Sequence, residues 1–467
     1  MGLSKNSKIL AMKKKLDFSY RLSASGFKVN VFKGVDFAVH FPGRIFSQLP
    51  QATKYFLVDN FIYSRTRALN LLDWQLSYQF GRPAWQNFID FGLKKIIPCL
   101  GEINNFNIDK ILKKFPLAES AKNLVFNGNQ SVARLAGFKS LKDRAVLALS
   151  FGKDSILSYG LAKELGLNLL LATANEMENS SGNEWKIKSR IIKDFESEQG
   201  EQVYLFSDNV DELYYHPKIN CHLSEVNNTN SLLAYALEFL PFVYQHRSAY
   251  LIFGNEQNLN DYFVNQQGFK FYPSFDQSSE YTAKENSLWS KASKGKFKVI
   301  SLVEPLYNLG EFRVLYHRYP HLLKYVMSCE PDKGSAERWC YHCPMCAKAF
   351  LYSSAVGGDP KRIAFNKDFF AKKYSEHYPL FAKKKLRHYE RPPQVREEQL
   401  LSFLLCYQQG LKGDLIDLFK KHYLAEAITK EKSLRKVYLG VHPAINLPGG
   451  LKTKIIKIFK EELKGLN

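Results

Sequence analysis

The sequence predicts an α/β protein: a parallel sheet with helices on both faces, preceded by an α+β region and followed by a mainly helical one. Two observations carry this expectation. Five short apolar runs, at 145–149, 167–174, 202–206, 250–253 and 297–303, alternate with longer stretches of helical periodicity, the pattern of strands buried on both sides by crossover helices. At 467 residues the chain also exceeds a single typical domain, and its landmarks divide it into 1–140, 141–360 and 361–467.

In chain order, the first region opens with a basic segment. Phe27 to Phe32 and Asp36 to Phe41, around Lys33-Gly34-Val35, read as a hairpin. Trp74, Tyr78, Phe80, Trp85, Phe88 and Phe91 follow at spacings that favour a core over a binding platform. Arg144 to Leu149 is then a buried strand. Beyond it Ile156, Leu157, Gly160, Leu161 and Leu165 recur at helical spacing up to a stop at Gly166.

The turn between that strand and helix is Ser150-Phe151-Gly152-Lys153-Asp154-Ser155. A strand-to-helix junction offers an anion the free N–H groups and positive dipole end of the first helical turn. Gly152 allows close backbone approach, Ser150 and Ser155 add hydroxyls, Lys153 adds charge, and Asp154 suits a magnesium ion shared with phosphates. The bland alternative is a capped helix, since Ser and Asp are good caps. The Walker spacing is absent. Further on, Glu176 and Glu178 follow the second strand, where a loop carboxylate is usually just solvated. Asn227, Asn228, Thr229 and Asn230 precede the helix from Ser231 and are expected to cap it. His246 and Arg247 sit where a helix ends.

Four of the seven cysteines, Cys329, Cys340, Cys343 and Cys346, crowd into one segment. Thiolates so spaced can converge on one tetrahedral zinc with no open position, a structural site; His342 is a substitute ligand. An iron–sulfur cluster uses the same ligands, and spacing alone leaves it open.

The loop resembles the Ser-Gly-Gly-x-Asp-Ser loop of the PP-loop ATP pyrophosphatases, with Phe151 in place of the first glycine. Loop and cysteine knuckle together resemble the 7-cyano-7-deazaguanine synthases of the queuosine pathway. Phe253-Gly254-Asn255-Glu256, Asp261-Tyr262 and Glu304-Pro305-Leu306 are similar to family segments between them, so the resemblance spans Arg144 to Ser354. The family has an arginine three residues after the last cysteine; here that position is Ala349, and the nearest basic side chain is Lys348. The resemblance implies a Rossmann-like PP-loop domain of the HUP type that binds ATP and Mg2+ and carries Zn2+. It implies ATP contacts from Ser150, Phe151, Gly152, Lys153, Asp154 and Ser155, catalytic roles for Lys153 and Asp154, and substrate contacts from Gly254, Asn255, Glu256 and Asp261. The implied reaction is ligation through an acyl-adenylate: a carboxylate such as 7-carboxy-7-deazaguanine is adenylated with release of pyrophosphate, then passed to ammonia or another amine as amide, nitrile or conjugate. Alternatives are a PP-loop enzyme inserting sulfur into tRNA and a non-catalytic nucleotide-sensing module.

The formal net charge is +21, a field that attracts polyanions and makes a protein or nucleic-acid acceptor an expectation. Near the C-terminus Lys372, Lys373, Lys383, Lys384, Lys385, Arg387, Arg391 and Arg396 interleave with Tyr374, His377, Tyr378, Phe381 and Tyr389, which reads as a solvated helix face before a nucleic-acid platform. The last segment is amphipathic, with Leu451, Ile455, Ile458, Phe459 and Leu463 on one side and lysines on the other. No run of eighteen apolar residues and no secretory signal is evident, and the odd cysteine number fits a reducing compartment. A cytoplasmic protein with no membrane partner is expected.

Overall fold

The computed structural model describes residues 14–466 except 33–34, 115–122, 129–133, 177–181, 220, 222, 330, 332–336 and 385. The first region contributes strands β1 (Lys15–Ser23), β2 (Gly26–Phe32), β3 (Val35–His40), β4 (Gln75–Tyr78) and β5 (Leu124–Phe126). Its helices are α1 (Gln51–Thr66), α2 (Gln86–Asn104) and α3 (Ile108–Lys114). The expected hairpin is the antiparallel β2–β3 pair; its turn at Lys33-Gly34 lies outside the described residues. Strand β1 occupies part of what reads as a basic start, with Leu16 and Phe18 buried between exposed Lys15 and Asp17.

All five central apolar runs form strands: β6 (Leu141–Ala148), β7 (Asn168–Asn175), β8 (Val203–Asp208), β9 (Ser248–Phe253) and, after the short ribbon β10 (Phe263–Val264) and β11 (Lys270–Phe271), β12 (Lys298–Ser301). Between and after them come α4 (Lys153–Glu164), α5 (Gly182–Gln199), α6 (Ser231–Glu238), α7 (Leu240–His246), α8 (Ser279–Ser293), α9 (Asn308–Arg318) and α10 (Pro344–Ala355). The last region is helical as expected: α11 (Pro393–Gln408), α12 (Asp414–His422), α13 (Leu424–Tyr438) and α14 (Gly449–Glu462).

The protein is therefore α/β, with one mostly parallel ten-stranded sheet in the order β12-β9-β6-β7-β8-β3-β2-β1-β4-β5. The five central strands are mutually parallel. From β6 the chain steps outward through β7 and β8, then returns to place β9 and β12 on the other side. Strand order thus reverses between β6 and β9, where the loops at the carboxyl ends diverge and leave a crevice. Because β3 pairs antiparallel with β8, the first region extends this sheet.

Successive residues of the central strands enter opposite cores. Leu147, Leu171, Ile252 and Ile300 join one core with α4, α5, α9 and the C-terminal helices, while Val146, Leu170, Leu251 and Val299 join the other with α1, α2 and α6 to α8. The aromatic series from Trp74 to Phe88 is core, with Phe91 packed at its margin. Helix α14 buries Ile455, Ile458, Phe459 and Leu463 and exposes its lysines. Tyr374, Tyr378 and Phe381 are also buried, so the basic stretch has no stacked-ring platform there. It runs mostly through turns rather than along a helix face, and Lys385 lies outside the described residues.

One buried charge centre ties α1 to the sheet. Arg65 is 1% exposed and faces Asp208 at 3.6 Å, Asp211 at 3.3 Å and Glu238 at 3.8 Å. Burial pushes Asp211 up to about 6 and Glu238 well above the usual carboxylate range. Arg65→Met, which strands these charges, is expected to cost roughly 3–5 kcal/mol in urea unfolding at pH 7.5. Carboxylates with raised folded-state pKa values bind protons better when folded, so the deficit should shrink at pH 5.5. An equal deficit at both pH values would show that charge pairing is not what Arg65 supplies.

Candidate functional site

Helix α4 begins at Lys153 with Gly152 at its N-cap and no capping side chain, so the loop before it is not a simple cap. It is braced internally instead. The Ser150 hydroxyl donates to Ser155 Oγ at 3.2 Å and accepts the Gly152 N–H at 3.3 Å, while the Ser155 hydroxyl donates to the Gly152 carbonyl at 3.1 Å. Phe151 adopts φ +65°, the left-handed conformation natural to glycine. For a side chain this costs roughly 1–2 kcal/mol. Burying the ring edge-on against Phe195, at 5.5 Å, returns roughly 1.5–3 kcal/mol. Phe151 thus holds a left-handed backbone turn while its ring serves as a core anchor.

Three carboxylates surround the Lys153 ammonium: Asp154 beside it, Glu256 from the segment after β9, and Glu311 from the first turn of α9 at 2.8 Å. Gly254 makes this approach feasible, because a Cβ there would lie 2.6 Å from Asp154 Cβ. Burial opposes the charge on Lys153, yet the three acids hold its pKa well above normal. Burial works most strongly against the charge on Asp154, but Lys153 together with hydrogen bonds from Glu311 and Glu256 outweighs it and keeps that carboxyl well below the usual range. Burial and then repulsion from Asp154 push Glu256 up to about 8 and Glu311 well above its ordinary value. Carboxylate oxygens of the trio lie within 4.8 Å of one another, and Glu311 Oε1 is buried without a partner. With one ammonium among three acids, Glu256 and Glu311 hold their protons near neutral pH, and a divalent cation with oxygen ligands could take the place of those protons. Asp154, read from the sequence as a magnesium ligand, lies in this trio. Glu256, assigned to substrate by resemblance, lies in this trio. Glu311 carries no local sequence signal, since only the tertiary fold brings α9 to the loop.

Two cavities meet here. The smaller, about 310 Å³, opens at the carboxyl ends of β6, β7 and β9 and is lined by Ser150, Ser155, Glu176, Gly254 and Asn255. The larger, about 560 Å³, is lined by Lys153, Glu256 and Asp261 together with Leu100 of α2, His388 and Glu398. Asp154 and Tyr235 border both. Glu176, expected to be solvated, accepts the Tyr235 hydroxyl at 2.6 Å; Glu178 lies outside the described residues. Asp261 accepts the Tyr307 hydroxyl at 2.9 Å, and burial pushes its carboxyl up to about 8.

The flanking regions shape this site. Glu398 of α11 accepts the Leu309 N–H at 2.8 Å and the Tyr352 hydroxyl at 3.1 Å, fixing the turn of α9 that carries Glu311. Arg391 pairs with Glu102 of α2 at 2.7 Å. Asn230 does not cap α6 as expected. It has φ +57°, and its amide donates to the Ile89 carbonyl at 3.2 Å, while Asp276 accepts the Leu232 N–H at 3.1 Å in its place.

The four cysteines converge. Their sulfurs are 3.9 Å apart for Cys329–Cys343 and 3.6 Å for both Cys340–Cys346 and Cys346–Cys329. A tetrahedron with metal–sulfur bonds of ~2.3 Å has edges of about 3.8 Å, so the set fits a single metal such as zinc. A cluster spreading its cysteines over several irons would hold them farther apart. His342 turns instead to the Cys340 carbonyl, at 2.8 Å. Immediately before Cys329, the Met327 N–H donates to the Phe151 carbonyl at 2.7 Å, and Ser328 Oγ accepts the Lys153 N–H at 3.2 Å. The metal knuckle therefore holds the loop.

Neither a protein-family model nor a curated protein matches the chain. No helix among the described residues is long and apolar enough to cross a membrane.

Two outcomes are expected. Cys346→Ser should lower zinc content, measured by plasma mass spectrometry, and weaken binding of a fluorescent ATP analogue at least tenfold through the Met327 and Ser328 contacts. Zinc loss with undiminished nucleotide affinity would show that the loop stands alone. In a Mn2+ titration followed by electron paramagnetic resonance, Glu311→Gln should weaken binding at least tenfold relative to the native chain; unchanged binding would remove Glu311 from the cation site.

Proposed function

We propose that the chain is an ATP-dependent enzyme of the PP-loop class that adenylates a carboxylate and passes the acyl group to ammonia or another amine. 7-Carboxy-7-deazaguanine or a close analogue is the carboxylate. The observation that carries this reading is the position of the Asp154–Glu256–Glu311 trio at the head of α4, beside two adjoining cavities.

On this reading the five parallel strands form a Rossmann-like PP-loop domain of the HUP type. ATP takes the smaller cavity with its phosphates at the N-terminus of α4, and the trio holds Mg2+. With Mg2+ held by Asp154, Glu256 and Glu311, Lys153 would be left to offset charge developing on the phosphates. The carboxylate substrate enters the larger cavity. Lys348 lines it and forms no ion pair within 4.0 Å among the described residues, so it is the cation left to meet the substrate acid. A carboxylate resists nucleophiles because it is charged and lacks a leaving group, and AMP supplies one. An oxygen of the acid attacks the α-phosphorus and pyrophosphate leaves; the amine then attacks the acyl carbon and AMP leaves. Holding these groups together supplies much of the rate. Zinc stays structural, since four sulfurs leave it no open position.

The test incubates the zinc-loaded protein with ATP, Mg2+, ammonium and 7-carboxy-7-deazaguanine. Pyrophosphate release should depend on the acid and fall at least a hundredfold in Asp154→Ala and in Glu311→Gln, with product mass separating amide, nitrile and conjugate. ATP binding without acid-dependent release would turn the reading toward a nucleotide-sensing module.

A further inference from the structure

The larger cavity exceeds what ammonia needs. Ammonia is close in size to a water molecule, whose share of liquid volume is ~30 Å³, whereas this cavity measures about 560 Å³, within the ~300–1,000 Å³ typical of organic ligand sites.

Its acid–base composition also runs against that of the chain. Lysine and arginine outnumber aspartate and glutamate by 66 to 45 overall. Six carboxyl groups line the cavity, those of Asp154, Glu225, Glu256, Asp261, Asp276 and Glu398, against two lysines, Lys153 and Lys348. A divalent ion in the trio would offset Asp154 and Glu256 and leave the other four. Two of those four are fixed in place, Asp276 by the Leu232 N–H and Glu398 by the Leu309 N–H. Asp261 is only 7% exposed, and its Oδ2 has no partner. One side of the wall is apolar: Ile96, Leu100 and Ile103, at i, i+4 and i+7 along α2, form a stripe on the cavity.

We infer that this cavity is a subsite for the amine acceptor, and that the acceptor is an organic primary amine with an aliphatic body rather than ammonia. The carboxylates draw in its ammonium group, and the α2 stripe takes its carbon chain. The reaction in which it serves rests on the adenylation reading; the binding does not. In that reaction the ammonium first gives a proton to a lining carboxylate. Burial, which pushes the Asp261 carboxyl up to about 8, suits that residue to the transfer. The freed lone pair forms the C–N bond, the acyl–oxygen bond breaks with its electrons leaving on AMP, and the nitrogen sheds its second proton. The products are amide, AMP and two protons.

Equilibrium dialysis of the full zinc-loaded chain with radiolabelled hexylamine, methylamine and hexanoate tests the subsite. Hexylamine should bind at least tenfold more tightly than either of the others. Leu100→Gln should weaken hexylamine at least fivefold and leave methylamine unchanged, and Asp261→Asn should weaken both amines. An unchanged circular-dichroism spectrum and melting temperature show that each variant is folded. Hexylamine binding no more tightly than methylamine or hexanoate would overturn the inference. In the adenylation assay hexylamine should yield the hexylamide in preference to equimolar ammonium; exclusive use of ammonium would overturn it too. Absence of pyrophosphate in every arm would count against the adenylation reading alone, because dialysis decides the subsite independently.

Discussion

A buried ammonium facing three carboxylates does not arrange itself; the fold has to impose it. Removing such groups from water costs several kcal/mol per ion, and one cation cannot compensate three acids. The cluster therefore exists because its members arrive on elements fixed by other forces. Lys153 and Asp154 come with α4, which packs Ile156 and Leu157 into the sheet's core, Glu256 comes with the exit of β9, and Glu311 comes with α9. Each helix or strand is anchored by apolar burial, and the charges are carried along. This cluster borders the two cavities and is open to a ligand, whereas Arg65 and its three acids line neither of them.

The two flanking regions contribute in different ways. The first extends the sheet through the β3–β8 pairing and supplies α2 as a cavity wall. The last packs on the other face, yet it returns through residues 388–398 to reach the same cavity. The Arg391–Glu102 pair joins them, with the Arg391 guanidinium 4.3 Å from the Phe263 ring centre. Both ion-pair partners are partly exposed, and such a pair contributes only about 0–1 kcal/mol. Burial in the two cores sets the approach of the regions, and the ion pair fixes its local register.

Much of this was legible in the sequence because it is local. The central strands announce themselves as apolar runs, the cysteines by their spacing, and the loop by lying where β6 gives way to α4. What the sequence conceals is whatever depends on distant partners. Glu311 sits in an ordinary helical stretch, and Glu398 looks like one acid among several until α11 docks on α9. Strand β1 is hidden because Lys13-Lys14-Lys15 reads as a basic tail, masking the alternation of Leu16 and Phe18. Asn230 has the composition of a cap, but tertiary contacts with Ile89 and Tyr281 claim its side chain. Phe151 looks like a defect in the loop until its backbone angle and its contact with Phe195 are seen together.

The metal knuckle illustrates how a structural centre reaches a site it does not enter. Its four sulfurs close around one position, and their geometry leaves nothing to bind a substrate. A structural zinc site of this kind contributes ~10 kcal/mol or more to local folding. That is far more than two hydrogen bonds, at ~1 kcal/mol each, could supply. The residues just before Cys329 inherit that rigidity. Met327 holds the Phe151 carbonyl and Ser328 holds the Lys153 N–H, so the first helical amide of α4 is positioned by the segment that leads into the cysteine cluster, which a bound metal would fix. Ser328 also lines the larger cavity. The knuckle reaches the loop through that one short connection, and the loop holds Phe151 in a left-handed conformation because its shape is fixed from outside as well as from within.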